Sequence, residues 1–242
     1  MKQDFPIFLR KVNGNSLVYL DNAATTQKPA CVIDAMSHFY TSSNANVHRA
    51  VHTLAGEATE GYEACRSLLK QRYNSTRAII TSGTTEAINL VARSWGESNL
   101  NSGDVVVLTE MEHHSDIVPW QMLAERKAIE LRYIPVIDGE LDLDAFDVAL
   151  EGAKLVCVVH PSNVLGIRNP VEKIIAAAKS VGARILLDAA QAVPHEMIDF
   201  QQLGADFMAF SAHKMCGPTG IGALLVNDTA FDEMEPFMGG GD

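Results

Sequence analysis

Short apolar runs recur along the chain from about residue 78 onward, and segments of helical periodicity separate them. Seven runs are rich in β-branched or aromatic residues: 78–81, 105–108, 131–134, 155–159, 184–187, 207–210 and 223–226. The segments 85–95, 117–126 and 171–181 carry apolar residues at helical spacing, and Gly182 is a typical helix stop. This alternation predicts an α/β fold with a mostly parallel, doubly wound sheet of about seven strands.

The first part of the chain has a less regular pattern. Residues 17–21 suggest a short strand, and 32–40 and 55–72 suggest helices. We therefore predict an N-terminal arm over residues 1–20 and one large domain over 21–242. The glycine cluster within 235–242 is typical of a loop, so the chain is expected to be cut there rather than to end on a finished element.

Composition limits the possible partners. With 47% hydrophobic residues among 242, the chain can bury a core, and its net charge of −11 argues against a broad nucleic-acid or anionic membrane surface. No apolar run approaches the roughly 18 residues of a membrane span, and the N-terminus lacks a signal peptide. The four cysteines show no CxxC spacing, which favours reduced thiols. We predict a cytoplasmic protein without nucleic-acid or membrane partners.

Residues that could bind a ligand or take part in catalysis follow five of the predicted strands. In a doubly wound sheet, ligands bind at the carboxyl ends of the strands, so these residues are expected to share one site. They are Gly83, Thr84 and Thr85 after the first strand, Glu112, His113 and His114 after the second, Asn163 after the fourth, Asp188 after the fifth, and Ser211, His213 and Lys214 after the sixth.

Lys214 and Asp188 are the candidates with the most specific chemistry. Alone, Lys214 is typical of a solvated surface lysine, and Asp188 of a cap or turn residue after a strand. Together they are the two groups that pyridoxal 5'-phosphate chemistry requires, because a lysine amine forms a Schiff base with the aldehyde and an aspartate keeps the ring nitrogen protonated. The sequence therefore predicts a pyridoxal 5'-phosphate site.

The segment 82–87 joins a strand to a helix and suits a phosphate group. Backbone N–H groups at the helix start and the hydroxyls of Thr84 and Thr85 are possible donors, and Ser211 and His213 add more. The same residue types also form an ordinary capping box, in which Glu86 bonds back to the helix start. Both roles are compatible with the pattern.

Three further polar side chains have alternative interpretations. The pair His113 and His114 lacks a third ligand at helical spacing, so no metal site is predicted, and His113 is instead expected to stack on a planar cofactor. Gln191 and Asn163 are candidates to hydrogen-bond the cofactor's phenolic oxygen. The alternative for both is a strand-end amide satisfied by backbone groups.

The motifs taken together resemble one family. They are 19–25 (YLDNAAT), 46–49 (NVHR), 83–92 (GTTEAINLVA), 111–121 (MEHHSDIVPWQ), 162–166 (SNVLG), 188–191 (DAAQ) and 211–222 (SAHKMCGPTGIG). In this order they resemble the SUF-type cysteine desulfurases of the class V aminotransferase family, which have the large domain of pyridoxal-phosphate fold type I. The resemblance implies a homodimer that removes sulfur from L-cysteine, yielding L-alanine and an enzyme persulfide for iron–sulfur cluster assembly through a sulfur-acceptor protein.

The resemblance also implies a role for each matching residue. Lys214 forms the Schiff base and moves the α-proton, Asp188 pairs with the pyridine nitrogen, and His113 stacks on the ring. Gln191 bonds the phenolic oxygen, and His48 lies near the cleft. The residues that bind the phosphate are Thr84, Thr85, Ser211 and His213, and those near the substrate carboxylate are Asn163, Ala23 and Ala24.

Two departures and two alternatives accompany the resemblance. The family usually has glycine at Ala212 and an aromatic residue at Cys216, and its members extend further to carry the nucleophilic cysteine, the carboxylate-binding arginine and a small domain. This chain is therefore expected to be a truncated, weakly active or inactive form. The alternative enzymes are a selenocysteine lyase acting on L-selenocysteine or a kynureninase-like hydrolase, and the alternative class is a non-catalytic cofactor-binding remnant.

Overall fold

A seven-stranded sheet forms the centre of the molecule. The structure is a computed structural model that describes residues 1–49 and 51–240. Its strands are β1 (Lys11–Val12), β2 (Asn15–Ser16), β3 (Arg77–Thr81), β4 (Val105–Thr109), β5 (Glu130–Ile134), β6 (Val136–Ile137), β7 (Glu140–Leu141), β8 (Ala153–Val159), β9 (Arg184–Asp188), β10 (Phe207–Ser211) and β11 (Gly222–Val226). The seven predicted strands are confirmed as β3, β4, β5 and β8 to β11.

The strand order explains why the sheet is only mostly parallel. It runs β3-β11-β10-β9-β8-β4-β5, with β11 antiparallel to both of its neighbours and the remaining pairs parallel. Every residue of β4, β10 and β11 is buried, as expected for strands covered on both faces. The predicted α/β fold is thereby confirmed.

Helices surround this sheet. They are α1 (Ala30–His38), α2 (Thr53–Tyr73), α3 (Thr84–Leu90), α4 (Glu97–Asn99), α5 (Val118–Lys127), α6 (Leu143–Ala149), α7 (Val171–Ser180), α8 (Phe200–Leu203) and α9 (Asp228–Asp232). Short 3-10 helices cover Lys2–Asp4, Pro6–Leu9, His114–Asp116 and Ala212–Lys214, and π-helical turns cover Phe39–Ser43 and Val91–Gly96. None of the helices in the described part of the chain combines the length and apolar character that crossing a membrane would require.

Strand alternation builds two apolar layers, one on each face of the sheet. In β8, Val156 and Val158 pack with α7 on one face, whereas Leu155 and Cys157 pack with α3 and α5 on the other. Gly182 takes a left-handed φ of 79° just after α7, as predicted for a helix stop. The two layers hold the strands rigidly, so the loops at their carboxyl ends are well positioned.

The N-terminal segment differs from the prediction. Residues 17–21 form no strand, because Val18 and Leu20 are 74% and 87% exposed and have no neighbouring strand to pair with among the described residues. The strand pair lies earlier, in β1 and β2, where Asn13 and Gly14 take positive φ and form the Asn-Gly turn that suits a tight hairpin. Residues 235–240 have no regular structure, as predicted, and residues 241 and 242 lie outside the described part.

Candidate active site

A cavity of about 490 Å³ opens at the carboxyl ends of the parallel strands. It lies near β4 and β8, which are neighbours in the sheet. After β4 the chain adds β5 on one side of it, whereas β8, β9 and β10 follow one another on the other side. Such a switch point separates the loops of adjacent strands and leaves a crevice. The cavity is lined by Asp21, Ala23, Ala24, Thr84, Thr85, His113, Ser115, Asn163, Asp188, Ala190, Ser211, His213 and Lys214.

Lys214 and Asp188 both line this cavity and influence each other's charge. Asp188 ends β9 and is 3% exposed, and its Oδ1 accepts a hydrogen bond of 2.9 Å from the Ala190 N–H. Burial raises the pKa of Asp188, whereas the Ala190 bond and the charges of Lys214 and His113 lower it. Burial lowers the pKa of Lys214, and Asp188 partly offsets this effect. The lowered pKa makes the uncharged amine, which is the form that attacks an aldehyde, more accessible than in an ordinary lysine.

The imidazole of His113 is held in one orientation. Its Nδ1 accepts a bond of 3.1 Å from the Ser115 N–H and lies 2.8 Å from the Ser115 hydroxyl. Because Nδ1 is the acceptor, the ring proton of the neutral form is assigned to Nε2. The ring is exposed toward the cavity, so it provides a flat wall next to Asp188 and Lys214.

Hydroxyl groups and tight glycine packing form another part of the wall. Ser211 Oγ accepts a bond of 2.7 Å from the Thr84 N–H and lies 2.7 Å from Thr84 Oγ1. A Cβ atom on Gly222 would lie 2.6 Å from Gly83 Cα, so glycine permits β11 to approach the start of α3. Glu86 accepts a bond of 2.5 Å from the Ser82 N–H, but the N-cap residue is Gly83, which makes no side-chain cap bond, so the Thr–Glu capping box does not form.

The loop that carries Lys214 is attached to the N-terminal segment. The carbonyl oxygen of His213 accepts bonds from the Thr25 and Thr26 hydroxyls at 3.1 and 2.9 Å and from Lys28 Nζ at 3.0 Å. Thr26 Oγ1 in turn accepts a bond of 2.7 Å from the Cys216 N–H. These contacts fix the lysine loop and place Ala23 and Ala24 against the same cavity.

The two departures from the resembled family have a local structural account. Ala212 does not have a positive φ, so its backbone conformation does not require glycine. A Cβ on Gly217 would lie 2.8 Å from the Ala212 Cβ, so Ala212 requires glycine at position 217. Cys216 has a φ of 65°, which is uncommon for a residue with a side chain.

Two of the twelve residues that were given a role in the site, Gln191 and His48, do not line the cavity, and neither do Gly83, Glu112 and His114 from the strand ends. Gln191 donates from Nε2 to the Ala23 carbonyl at 2.7 Å, which is the backbone-satisfied alternative weighed above. His48 lies against α2, with Nε2 3.1 Å from Glu63 Oε1 and its ring in edge contact with Tyr62. These contacts with α2 hold His48 in place, and the local sequence motif around His48 does not predict them.

Three lining residues were not predicted as site residues. Asp21, Ser115 and Ala190 lie on the cavity, and each falls inside a motif singled out in the sequence. Each lies two positions from a predicted site residue, namely Ala23, His113 or Asp188, and this closeness in sequence could have identified them. The ten other predicted residues meet on the cavity as expected.

The lining fits pyridoxal 5'-phosphate by the chemistry of its donors. The hydroxyls of Thr84, Thr85 and Ser211 suit a phosphate, and a buried carboxylate and a desolvated lysine suit a ring nitrogen and an aldehyde. The residues present are therefore compatible with this cofactor.

Comparisons with known proteins give a consistent picture. The model of the family described as Aminotransferase class-V matches residues 18–242. A cysteine desulfurase of Salmonella choleraesuis (strain SC-B67) is 49% identical over all of this chain, which covers 61% of that relative. The chain thus spans about three fifths of the length of this curated relative.

Solved structures agree with these matches. The apo cysteine desulfurase from Thermococcus onnurineus NA1 superimposes with a TM-score of 0.92 at 40% identity, over 99% of this chain and 59% of that one. The cysteine desulfurase CsdA from Escherichia coli gives a TM-score of 0.87 at 35% identity, over 99% and 60%. Both similarities cover the sheet and the cavity described above.

Proposed function

The chain belongs to the class-V aminotransferase family, and on this premise we propose that it is the cofactor-binding part of a cysteine desulfurase. Such an enzyme removes sulfur from L-cysteine and yields L-alanine and a persulfide. The observation that carries the proposal is the presence of Lys214 and Asp188 on one cavity, with His113 beside them. The similarity to two cysteine desulfurases across nearly the whole chain supports the choice of reaction.

Pyridoxal 5'-phosphate would be held by the residues that line this cavity. Thr84, Thr85, Ser211 and His213 would bind the phosphate, and His113 would lie on the ring. Asp188 would keep a proton on the ring nitrogen, which lets the bound cofactor withdraw electrons from the substrate α-carbon. Burial and the charges of Lys214 and Lys28 lower the pKa of His213, so its imidazole adds no full positive charge at neutral pH.

The chain's own residues account for binding and proton transfer. With its pKa lowered by burial, Lys214 would hold the cofactor through Nζ and would move the α-proton of the substrate. Asp188 would face the ring nitrogen of the cofactor, and the charge of Lys214 favours its ionised form. Asn163, Ala23 and Ala24 would lie near the substrate carboxylate. Gln191 would lie near the phenolic oxygen, and its bond to the Ala23 carbonyl holds the segment that carries Ala23.

Sulfur transfer needs two groups that this lining does not supply. Within the described residues, the cavity lining contains neither cysteine nor arginine. None of the four cysteines lines the cavity: Cys157 is buried in the sheet, Cys31 and Cys65 are exposed, and Cys216, two residues past Lys214, is half-buried. We therefore propose that residues 1–242 bind the cofactor and move protons, but that a thiol and a substrate-holding cation must come from outside this lining.

Finer features of the function are proposed from the motifs, the cysteines and the exposed helix α1. The motifs favour the SUF-type group, the four unpaired cysteines suit the cytoplasm, and apolar α1 buries none of its residues, which suits a homodimer. Delivery of sulfur to an acceptor protein for iron–sulfur cluster assembly follows from the resembled group. The division into an arm (1–20) and a large domain (21–242) is supported by the cavity lining, which begins at Asp21.

The experiment is borohydride reduction of the chain with pyridoxal 5'-phosphate, followed by peptide mapping. We expect the label on Lys214 and its loss in Lys214→Ala. Lys173→Ala, on the exposed face of α7, is the matched control and should keep full labelling. Labelling of a different lysine in the unaltered chain would exclude the assignment.

A further inference from the structure

Two buried carboxyl groups lie beneath the cavity and are not used in the proposed reaction. Glu112 is 6% exposed and Asp116 is fully buried, and the two side chains lie close enough that each shifts the pKa of the other. One oxygen of each, Glu112 Oε2 and Asp116 Oδ2, has no hydrogen-bond partner among the described residues. Two carboxylates with unsatisfied oxygens at one buried site would repel each other strongly.

The surrounding donors distinguish the two groups. Glu112 Oε1 accepts bonds from the Thr109 hydroxyl at 2.6 Å and from the Val159 N–H at 2.9 Å. Asp116 Oδ1 accepts one bond, from Trp120 Nε1 at 3.0 Å. The carboxyl with more donors is better stabilised as an anion, so Glu112 loses its proton first. Burial raises the pKa of Glu112 to about 7, and above that pH Glu112 is the carboxylate and Asp116 the acid.

One proton would satisfy both orphaned oxygens. A proton on Asp116 Oδ2 that is donated to Glu112 Oε2 leaves a single negative charge on the pair and no unpartnered atom. Burial and the facing charges of Asp188 on β9 and of the partner carboxyl raise the pKa of Asp116 well above its ordinary value. The other titratable group facing it is the buried Cys157 thiol on β8.

We propose that Glu112 and Asp116 share one proton and act as a positioning pair for His113 and Asp188. The two residues flank His113 in the sequence, and their bonds fix its loop to β8 on one side and to α5 on the other. Sharing a proton also removes one negative charge beside Asp188. The catalytic significance of this pair rests on the proposed function, whereas the shared proton itself does not.

The first test measures the proton without any cofactor. Infrared spectra of the chain in H2O and D2O at pH 8 should show the C=O stretch of a protonated buried carboxyl group. The band should disappear in Asp116→Asn. It should persist in Asp188→Asn, which excludes Asp188 as its source, and in the control Glu125→Gln on the exposed side of α5. A missing band, or one that survives Asp116→Asn, overturns the proposal.

The second test measures the positioning role through the affinity for pyridoxal 5'-phosphate. Asp116→Asn retains an N–H donor toward Glu112 and should bind the cofactor within about threefold of the unaltered chain, whereas Asp116→Ala removes the donor and should weaken binding about tenfold or more. Equal affinity of the alanine and asparagine variants overturns the positioning role. If the unaltered chain binds no cofactor, the proposed function fails, while the infrared result still decides the shared proton.

Discussion

The pH dependence of stability should report the buried pair directly. Replacing Glu112 by Gln together with Asp116 by Asn removes both titratable groups and keeps side chains of the same shape, with amide hydrogens in place of the shared proton. We expect the free energy of unfolding of the unaltered chain to fall as the pH rises from about 4.5 to about 7. The double variant should lack that part of the dependence.

The magnitude follows from the pKa of Glu112. Burial raises this pKa from 4.5 to about 7, and Thr109 and Val159 only partly oppose the rise. Between these values the folded chain holds a proton that the unfolded chain has released, so a rising pH favours unfolding. At about 1.4 kcal/mol for each pKa unit, Glu112 alone contributes about 3 kcal/mol across the window, and Asp116 acts in the same direction.

Urea unfolding at pH 5, 6, 7 and 8, followed by circular dichroism, measures the difference. The other ionisable groups are the same in both proteins and cancel in the comparison. Glu125→Gln should reproduce the curve of the unaltered chain. The reasoning fails if the two curves run parallel, with less than about 1 kcal/mol change in their separation between pH 5 and pH 7. A separation that grows with pH in the opposite sense would show that the pair is ionised in the folded chain.

Three further outcomes follow from the site. Asp188→Asn should still bind some cofactor but slow exchange of the cysteine α-proton about 100-fold or more, measured by deuterium incorporation, because an amide cannot hold the ring nitrogen protonated. Gly222→Ala brings a Cβ within 2.5 Å of the Phe210 carbonyl oxygen and 2.6 Å of Gly83 Cα, so it should lower the unfolding free energy by about 1–3 kcal/mol and weaken phosphate binding. The control Gly56→Ala, whose Cβ has no neighbouring atom within 4 Å, should have neither effect. Purified residues 1–242 should form almost no alanine from cysteine even with a strong reductant, and turnover comparable with a longer relative would contradict the proposed need for an additional thiol.

The sequence alone determined the type of fold and the identity of most cavity residues. Continuous β-branched runs are short-range patterns, so the seven strands of the sheet were predictable. The rule that ligands gather at strand ends then brought Lys214, Asp188 and His113 together without a structure. The resemblance to class V aminotransferases is confirmed by the match over residues 18–242.

Only the tertiary structure decided features that depend on contacts distant in the chain. β11 inserts antiparallel between β3 and β10, and His48 packs on α2 instead of reaching the cavity, because pairing and packing partners are not encoded locally. The strand predicted at 17–21 is absent, since an exposed segment finds no neighbour to pair with there. Glu112 and Asp116 look like ordinary loop acids in the sequence. Their burial against β8 and α5 gives them a shared proton, since removal from water, which sets the charge of a carboxyl group, is a property of the folded chain.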